Sequence, residues 1–142
     1  MDSFSKEKRS EIMAKVRSQN TKAEIRVRKH LHGLGFRYRL GGKVEGVKPD
    51  VVLPKWRTCI FVHGCYWHRH KRCKRTTTPQ TNREYWTQKF RRNVARDRRT
   101  LRRLAQAGWK CGVIWECAVK DGRFADRNIK DLVENATFWE IS

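Results

Sequence analysis

Apolar positions along this chain recur with two different periods, and the switches between them divide it into elements. Residues 5–17 can form a helix in which Ile12, Met13 and Val16 make a small apolar patch among lysines and arginines. That pattern fits a surface helix resting on the core and equally a basic element lying against a phosphate backbone. Thr21-x-x-Glu24 is a capping signature for a second helix, with Ala23, Val27, Leu31 and Leu34 on one face and Gly33 and Gly35 as the stop. Glu24 falls about 100° round from Ala23, at the edge of that face. It reads first as the cap partner, and less readily as a carboxylate reaching into an active site.

The period then shortens. Phe36 to Leu40 alternates as a half-buried strand, Gly41, Gly42 and Gly46 make a loop, and Pro49-Asp50 opens a strand of Val51, Val52 and Leu53. Pro54 to Arg57 is a turn, and Thr58 to Val62 is a third strand. With a four-residue loop, Leu53 opposes Thr58 and Asp50 opposes Phe61. Asp50 and His63 then lie diagonally near each other, with the Val62 carbonyl close by.

A polar basic loop, residues 74–82, leads to Thr81-x-x-Glu84 and a helix running to about Ala107, stopped by Gly108. Trp86, Phe90, Val94, Leu101 and Leu104 share one face, which Asn93 and Asp97 interrupt; polar groups on a buried stripe need partners. Arg91, Arg92, Arg98, Arg99, Arg102 and Arg103 fill the opposite face. A fourth strand, residues 109–116, has Cys117 at its end. A last helix near 126–135 follows, and Phe138-Trp139 is expected to dock on the body.

The net charge changes the picture. It is +20, from 34 Lys and Arg against 14 Asp and Glu, and an excess of that size opposes compaction and implies a polyanionic partner. The charges are spread along the chain, so a folded domain with a basic face is expected over a disordered arm. A ribosomal or other nucleic-acid scaffold protein is the simpler alternative. No apolar run approaches the ~20 residues a spanning helix needs, so no membrane role is expected and the setting reads as cytoplasmic. Five cysteines are an odd number and a poor disulfide framework.

Between Val62 and Cys73 the chain concentrates histidines, cysteines and large aromatics without apolar periodicity. Cys65, His70 and Cys73 have the softness of zinc ligands, and Cys117 can complete a set of three cysteines and one histidine. Asp50 is placed to hold a hard cation such as Mg2+, and His63 and His68, not needed for zinc, can move a proton nearby. Tyr66, Trp67 and Trp86 lie beside positive charge and suit stacking on, or wedging between, bases; the first two are expected in an exposed loop. Trp86 fits the start of the core stripe equally well.

Several runs together resemble one family. Pro49-Asp50-Val51-Val52, Ile60-Phe61-Val62-His63-Gly64-Cys65-Tyr66-Trp67-His68, Arg83-Glu84-Tyr85-Trp86, the segment Asn93 to Arg99, and Trp115-Glu116-Cys117 are similar to the very-short-patch repair (Vsr) mismatch endonucleases. The resemblance implies a restriction-endonuclease-like α/β fold, a mixed sheet flanked by helices, with a structural zinc. It implies nicking of one strand of double-stranded DNA 5′ to the T of a T:G mismatch left by 5-methylcytosine deamination. Asp50 and the Val62 carbonyl would hold Mg2+, His68 would activate water with His63 as second histidine, and Cys65, His70, Cys73 and Cys117 would bind zinc. Tyr66, Trp67 and Trp86 would form a wedge, while Met13, Lys89 and Asn93 contact the DNA near the mismatch. Residues 1–20 become a DNA-contacting arm and 21–142 the endonuclease domain of a bacterial monomer, with repair proteins as further partners. A zinc-stabilised DNA-binding protein without catalysis, or a nuclease of different preference, is the alternative.

Overall fold

The computed structural model describes residues 21–142, so the expected helix over 5–17 and the Met13 contact lie outside the described residues. The first helix, α1 (Lys22–Gly33), starts as its sequence requires: Thr21 Oγ1 accepts the Glu24 amide at 3.2 Å. Ala23, Val27 and Leu31 are buried by it. Leu34, expected on the same face, is the C-cap and is exposed, because the helix ends there and Gly35 turns the chain with φ 96°.

The stretch from Phe36 to Leu40 is not a strand. It contributes one antiparallel bridge, Arg39 to Val52, because β1 (Val51–Leu53) offers only three residues and Gly41 then turns the chain away. β1 pairs antiparallel with β2 (Thr58–His63) in the expected register, Leu53 against Thr58 and Val51 against Ile60. The link is a 3-10 turn, Pro54–Trp56, closed by Arg57 at φ 48°.

The long helix α2 (Arg83–Gln106) carries the chain to β3 (Lys110–Trp115), which pairs parallel with β2. The N-cap of α2 is Asn82 and not Thr81. Asn82 has φ 55°, a conformation asparagine tolerates better than most residues, and makes no side-chain cap bond. A short helix α3 (Glu116–Lys120), a 3-10 turn and α4 (Ile129–Asn135) follow, so Cys117 sits in a first helical turn and not at a strand end. The last helix, expected near 126–135, begins later: Asp126 ends that 3-10 turn, and α4 starts at its own cap, Asn128 Oδ1 accepting the Asp131 amide at 3.2 Å.

Phe138-Trp139 does more than dock: Phe138–Ile141 is a fourth strand, β4, parallel to β3. The sheet order is β1-β2-β3-β4, a mixed sheet with helices on both faces. Ile60, Ile114 and Ile141 pack toward α1, α3 and α4, whereas Cys59, Phe61 and Cys111 pack toward Leu104 of α2. This alternation is the period of two that the strands displayed in sequence.

Gly112 opposes Trp139, and a Cβ built on Gly112 would run into the indole ring. Nothing smaller than a shift of β4 relieves that clash. Gly112→Ala is therefore expected to destabilise the protein by about 2–3 kcal/mol, the cost of overpacking a filled core. Urea denaturation monitored by tryptophan fluorescence checks this; an unchanged midpoint would show that the ring does not sit on this backbone.

Candidate functional site

The register of the β1–β2 hairpin brings the first acidic group to the sheet end. Asp50 immediately precedes β1, and the Val62 amide donates to its Oδ2 at 2.7 Å. A strand residue's N–H and C=O face the same neighbour, so the Val62 carbonyl points to the Asp50 side as well. Burial pushes the Asp50 carboxyl from its ordinary 3.8 up to about 6; the Val62 hydrogen bond opposes this and the nearby Glu24 charge adds to it. Glu24 itself is buried, pairs with Arg28 at 3.0 Å, and lines the same cavity as Asp50. Glu24 thus stands both in the first turn of α1 and on the wall of the cavity that holds Asp50.

His63 ends β2 and is buried; His68 lies on the turn that follows. Their rings stack 3.9 Å apart at 1°. Burial pushes His63 down to about 3, the His68 charge lowers it further, and Asp97 opposes, so His63 is a neutral imidazole at pH 7. His68 Nδ1 meets Asp97 Oδ2 at 2.6 Å, which orients the ring and reserves Nε2 for a proton. Asp97 belongs to the site although the sequence reading gave it no role. Its signal was there: an acid on the apolar stripe of α2, whose partner proves to be His68.

Asp50, His63, His68, Asp97, Glu24 and Asn93 all line one cavity of about 830 Å3, with Lys48, Arg96, Arg99 and Arg103 on its walls. Carboxylates and imidazoles at the centre, inside a cationic rim, suit a phosphodiester and a divalent cation together.

The cysteine loop forms a second centre. The ligand atoms of Cys65, His70, Cys73 and Cys117 all lie within 4.8 Å of one another. His70, not His68, is the histidine of this group, and its Nδ1 is 3.5 Å from Cys117 Sγ. Backbone bonds wind the loop: the His68 amide to Gly64 at 3.1 Å and the His70 amide to Cys65 at 3.0 Å. His70 stacks on Trp115 at 4.2 Å, and the Trp115 indole N–H is held by Glu140. Burial pushes the Cys65 thiol up to about 12, a cost that a soft divalent cation removes by holding the thiolate. Donor softness, number and proximity fit a closed tetrahedral metal site. Cys59 and Cys111, buried opposite each other in the sheet, are core thiols as expected.

Tyr66 and Trp67, expected in an exposed loop, are half-buried and buried, and Trp86 is buried as the start of the core stripe. Trp67 is 6% exposed and Trp86 1% exposed, and both pack with Phe90, Tyr66 making an edge contact to Phe90 at 5.2 Å. The loop's turns fold these rings onto the first two turns of α2, where burial of aromatic area outweighs exposure. Lys89 Nζ lies 5.3 Å from the Trp67 ring and 5.2 Å from that of Trp86, and Asn93 Nδ2 donates to the Trp67 carbonyl at 3.3 Å. Asn93 thus interrupts the apolar stripe because it fastens the loop at the cavity wall.

The family model described as DNA mismatch endonuclease Vsr matches residues 1–75. The type II nicking enzyme V.NmeAIP of Neisseria meningitidis is 39% identical over 132 residues, 93% of this chain and 94% of that protein. The chain belongs to the Vsr DNA mismatch endonuclease family. The DNA mismatch endonuclease Vsr of Escherichia coli is 37% identical over 84% of this chain and 76% of its own length. Among solved structures, the catalytic domain of the homing endonuclease I-Bth0305I superposes with a TM-score of 0.54 at 24% identity, over 79% of this chain and 93% of that one. That neighbour shows the fold, and the family makes this chain an endonuclease acting on DNA. No helix among the described residues is long and apolar enough to cross a membrane.

The strained acid gives a stability test. With a folded pKa of about 6 above the ordinary 3.8, the Asp50 charge costs the folded state up to about 3 kcal/mol above pH 6 and nothing below 3.8, where both states are protonated. Asp50→Asn keeps an acceptor for the Val62 amide. Without added divalent metal it is expected to be about 1–3 kcal/mol more stable than the parent at pH 8, with the gap closing as pH falls toward 4. Denaturant titrations at both pH values decide it, and a variant less stable at pH 8 would contradict the burial argument.

Proposed function

We propose that this protein is a Mg2+-dependent endonuclease that nicks one strand 5′ to the T of a T:G mismatch and so starts very-short-patch repair. The observation that carries this is the convergence, in one cavity, of Asp50 with the stacked His63–His68 pair and Asp97. Asp50 and the Val62 carbonyl are the groups that would hold the magnesium ion. When bound, that ion supplies positive charge to offset the charge gathering on the cleaved phosphate. His68 takes the proton of the attacking water at Nε2, and Asp97 stabilises the imidazolium that results. His63, neutral through burial, can donate a hydrogen bond to a phosphate or leaving oxygen without adding a second cation to the stack. Glu24, charged beside Asp50, strengthens the local demand for a cation.

Recognition is assigned to the groups beside the cavity. Tyr66 would form the wedge with Trp67 and Trp86 packed behind it, and Lys89 and Asn93 beside these rings would contact the DNA near the mismatch. Met13 and the arm of residues 1–20 would complete the grip on double-stranded DNA, with 21–142 as the catalytic domain of a monomer working in the bacterial cytoplasm alongside other repair proteins. The metal held by Cys65, His70, Cys73 and Cys117 is read as zinc, because three sulfurs and one imidazole nitrogen favour it over hard cations.

Two experiments decide these readings. With Mg2+, the protein is expected to nick a T:G duplex and leave the matched duplex intact, and Asp50→Ala is expected to slow nicking by at least ~10^3-fold, several kcal/mol of lost charge stabilisation, while binding persists. A panel of mismatches in several flanking contexts tests specificity; equal nicking of all mismatches would refute the T:G assignment, and no nicking of any would refute the catalytic one. For zinc, metal analysis should return one zinc per chain, and Cys117→Ser should lose it and lower Tm by at least ~10 °C. A native protein that folds free of metal would overturn the assignment.

A further inference from the structure

The arginine-rich face of α2 extends beyond what the catalytic cavity uses. Arg91 and Arg98 lie roughly 140–160° round the helix axis from Asn93 on the helical repeat. There a second cavity of about 390 Å3 opens, lined by Arg91 and Arg98 with Arg69, Thr78, Phe90 and Val94. Among the described residues, no carboxylate lines it. Its floor is apolar carbon and its rim is guanidinium, a combination that water alone does not need.

Arg69 is set in place before any ligand arrives. Its backbone is held at φ 54°, a costly conformation for a residue with a side chain. Its Nη1 donates to the Tyr66 carbonyl at 3.2 Å and the Thr77 carbonyl at 2.8 Å, and its Nη2 to Thr78 Oγ1 at 2.7 Å. The guanidinium carbon rests 4.0 Å from the centre of the Phe90 ring. Arg91 and Arg98 stand exposed beside this fixed charge.

The aromatic cluster separates the two cavities. Tyr66 and Trp67 line the catalytic one, Phe90 lines the other, and Tyr66 and Phe90 are in contact between them. A duplex that crosses the catalytic cavity and passes over these rings next meets Arg91 and Arg98. We propose that this pocket is a docking subsite for the sugar-phosphate backbone of the duplex, on the side of the aromatic cluster opposite the cut phosphate. Sugar carbons would cover Val94, and a phosphate would bridge Arg91 and Arg98. The proposal rests on reading the aromatic cluster as facing DNA; its salt-slope readout depends on neither the T:G preference nor the choice of metal ion, and its linkage readout takes the mismatch as the point of register.

The test is binding of a short T:G duplex, without divalent metal, in rising KCl. Arg91→Gln/Arg98→Gln is expected to flatten the slope of log K against log salt by about 2 and to weaken binding by about 10- to 100-fold at low salt. A pair of equal charge on the distant α4 region, Arg127→Gln/Lys130→Gln, is expected to leave the slope within about 0.5 of the parent. Single neutral methylphosphonate linkages then locate the contact. The parent should lose affinity at one or two linkages beyond the mismatch on the side away from the nick, and the Arg91/Arg98 variant should be indifferent to them. Equal slope loss from the control pair would overturn the proposal as general electrostatics. An unchanged slope, or sensitive linkages identical in both proteins, would overturn it too and leave the pocket to a protein partner. Because metal-free binding is the readout, a protein that failed to nick would not affect the outcome.

Discussion

The parallel pairing of β2 with β3 is the constraint from which both functional centres follow. Its last pair is His63 against Trp115, after which both chains leave the sheet at the same end. Cys65 and Cys117 each stand two residues beyond that pair, so one register brings two candidate metal ligands together from segments more than fifty positions apart. The same register fixes His63 at the mouth of the cavity and, through the β1–β2 hairpin, sets Asp50 beside Val62. Crossover connections cost loop-closure entropy, and here the long α2 is the crossover. It returns a structural helix whose inward face also carries Asn93 and Asp97.

Electrostatics divides the labour within a strongly basic chain. The net charge of +20 draws in a polyanion, yet the centre of the cavity is acidic and neutral. Asp50 is buried at a cost in folding energy, relieved when a cation or proton arrives. His63 is held uncharged at pH 7 by burial, and the His68 ring stacked on it works in the same direction. A site that stores such costs is less stable than its hydrophobic equivalent, and the two sheet faces, packed with aliphatic side chains, supply what it lacks.

Much of this was legible in the sequence wherever local rules and tertiary demands agreed. Thr21 caps α1, Gly108 ends α2, and the four-residue hairpin link set the register that places Asp50, because each rests on backbone chemistry that acts locally. The grouping of Cys65, Cys73 and Cys117 was suggested by donor types, and loop geometry that no spacing rule contains brings His70 rather than His68 beside them. What remained hidden depended on distant partners. β4 is four residues long, and only the bare backbone of Gly112 under Trp139 explains why it joins the sheet. Phe36 to Leu40 alternates like a strand yet finds too short an edge to pair with. Tyr66 and Trp67 had no periodicity because their partners are on α2, reached through a loop.

Trp115 joins the two centres physically. One face of its indole stacks on His70 of the metal cluster, while His63 and His68 meet it edge-on at 5.2 Å and 6.5 Å. Its N–H is anchored to Glu140, which β4 supplies from the sheet face opposite to Trp139 and Ile141. A metal held by His70 would therefore fix one side of the ring against which His63 and His68 lean, and β4 fixes its far edge. Stacked rings close-packed in this way transmit position poorly through gradual deformation and well through contact. The strand that sequence patterning left as a docked tail thus holds, through Glu140, the ring that lies between the cysteine cluster and the His63–His68 pair.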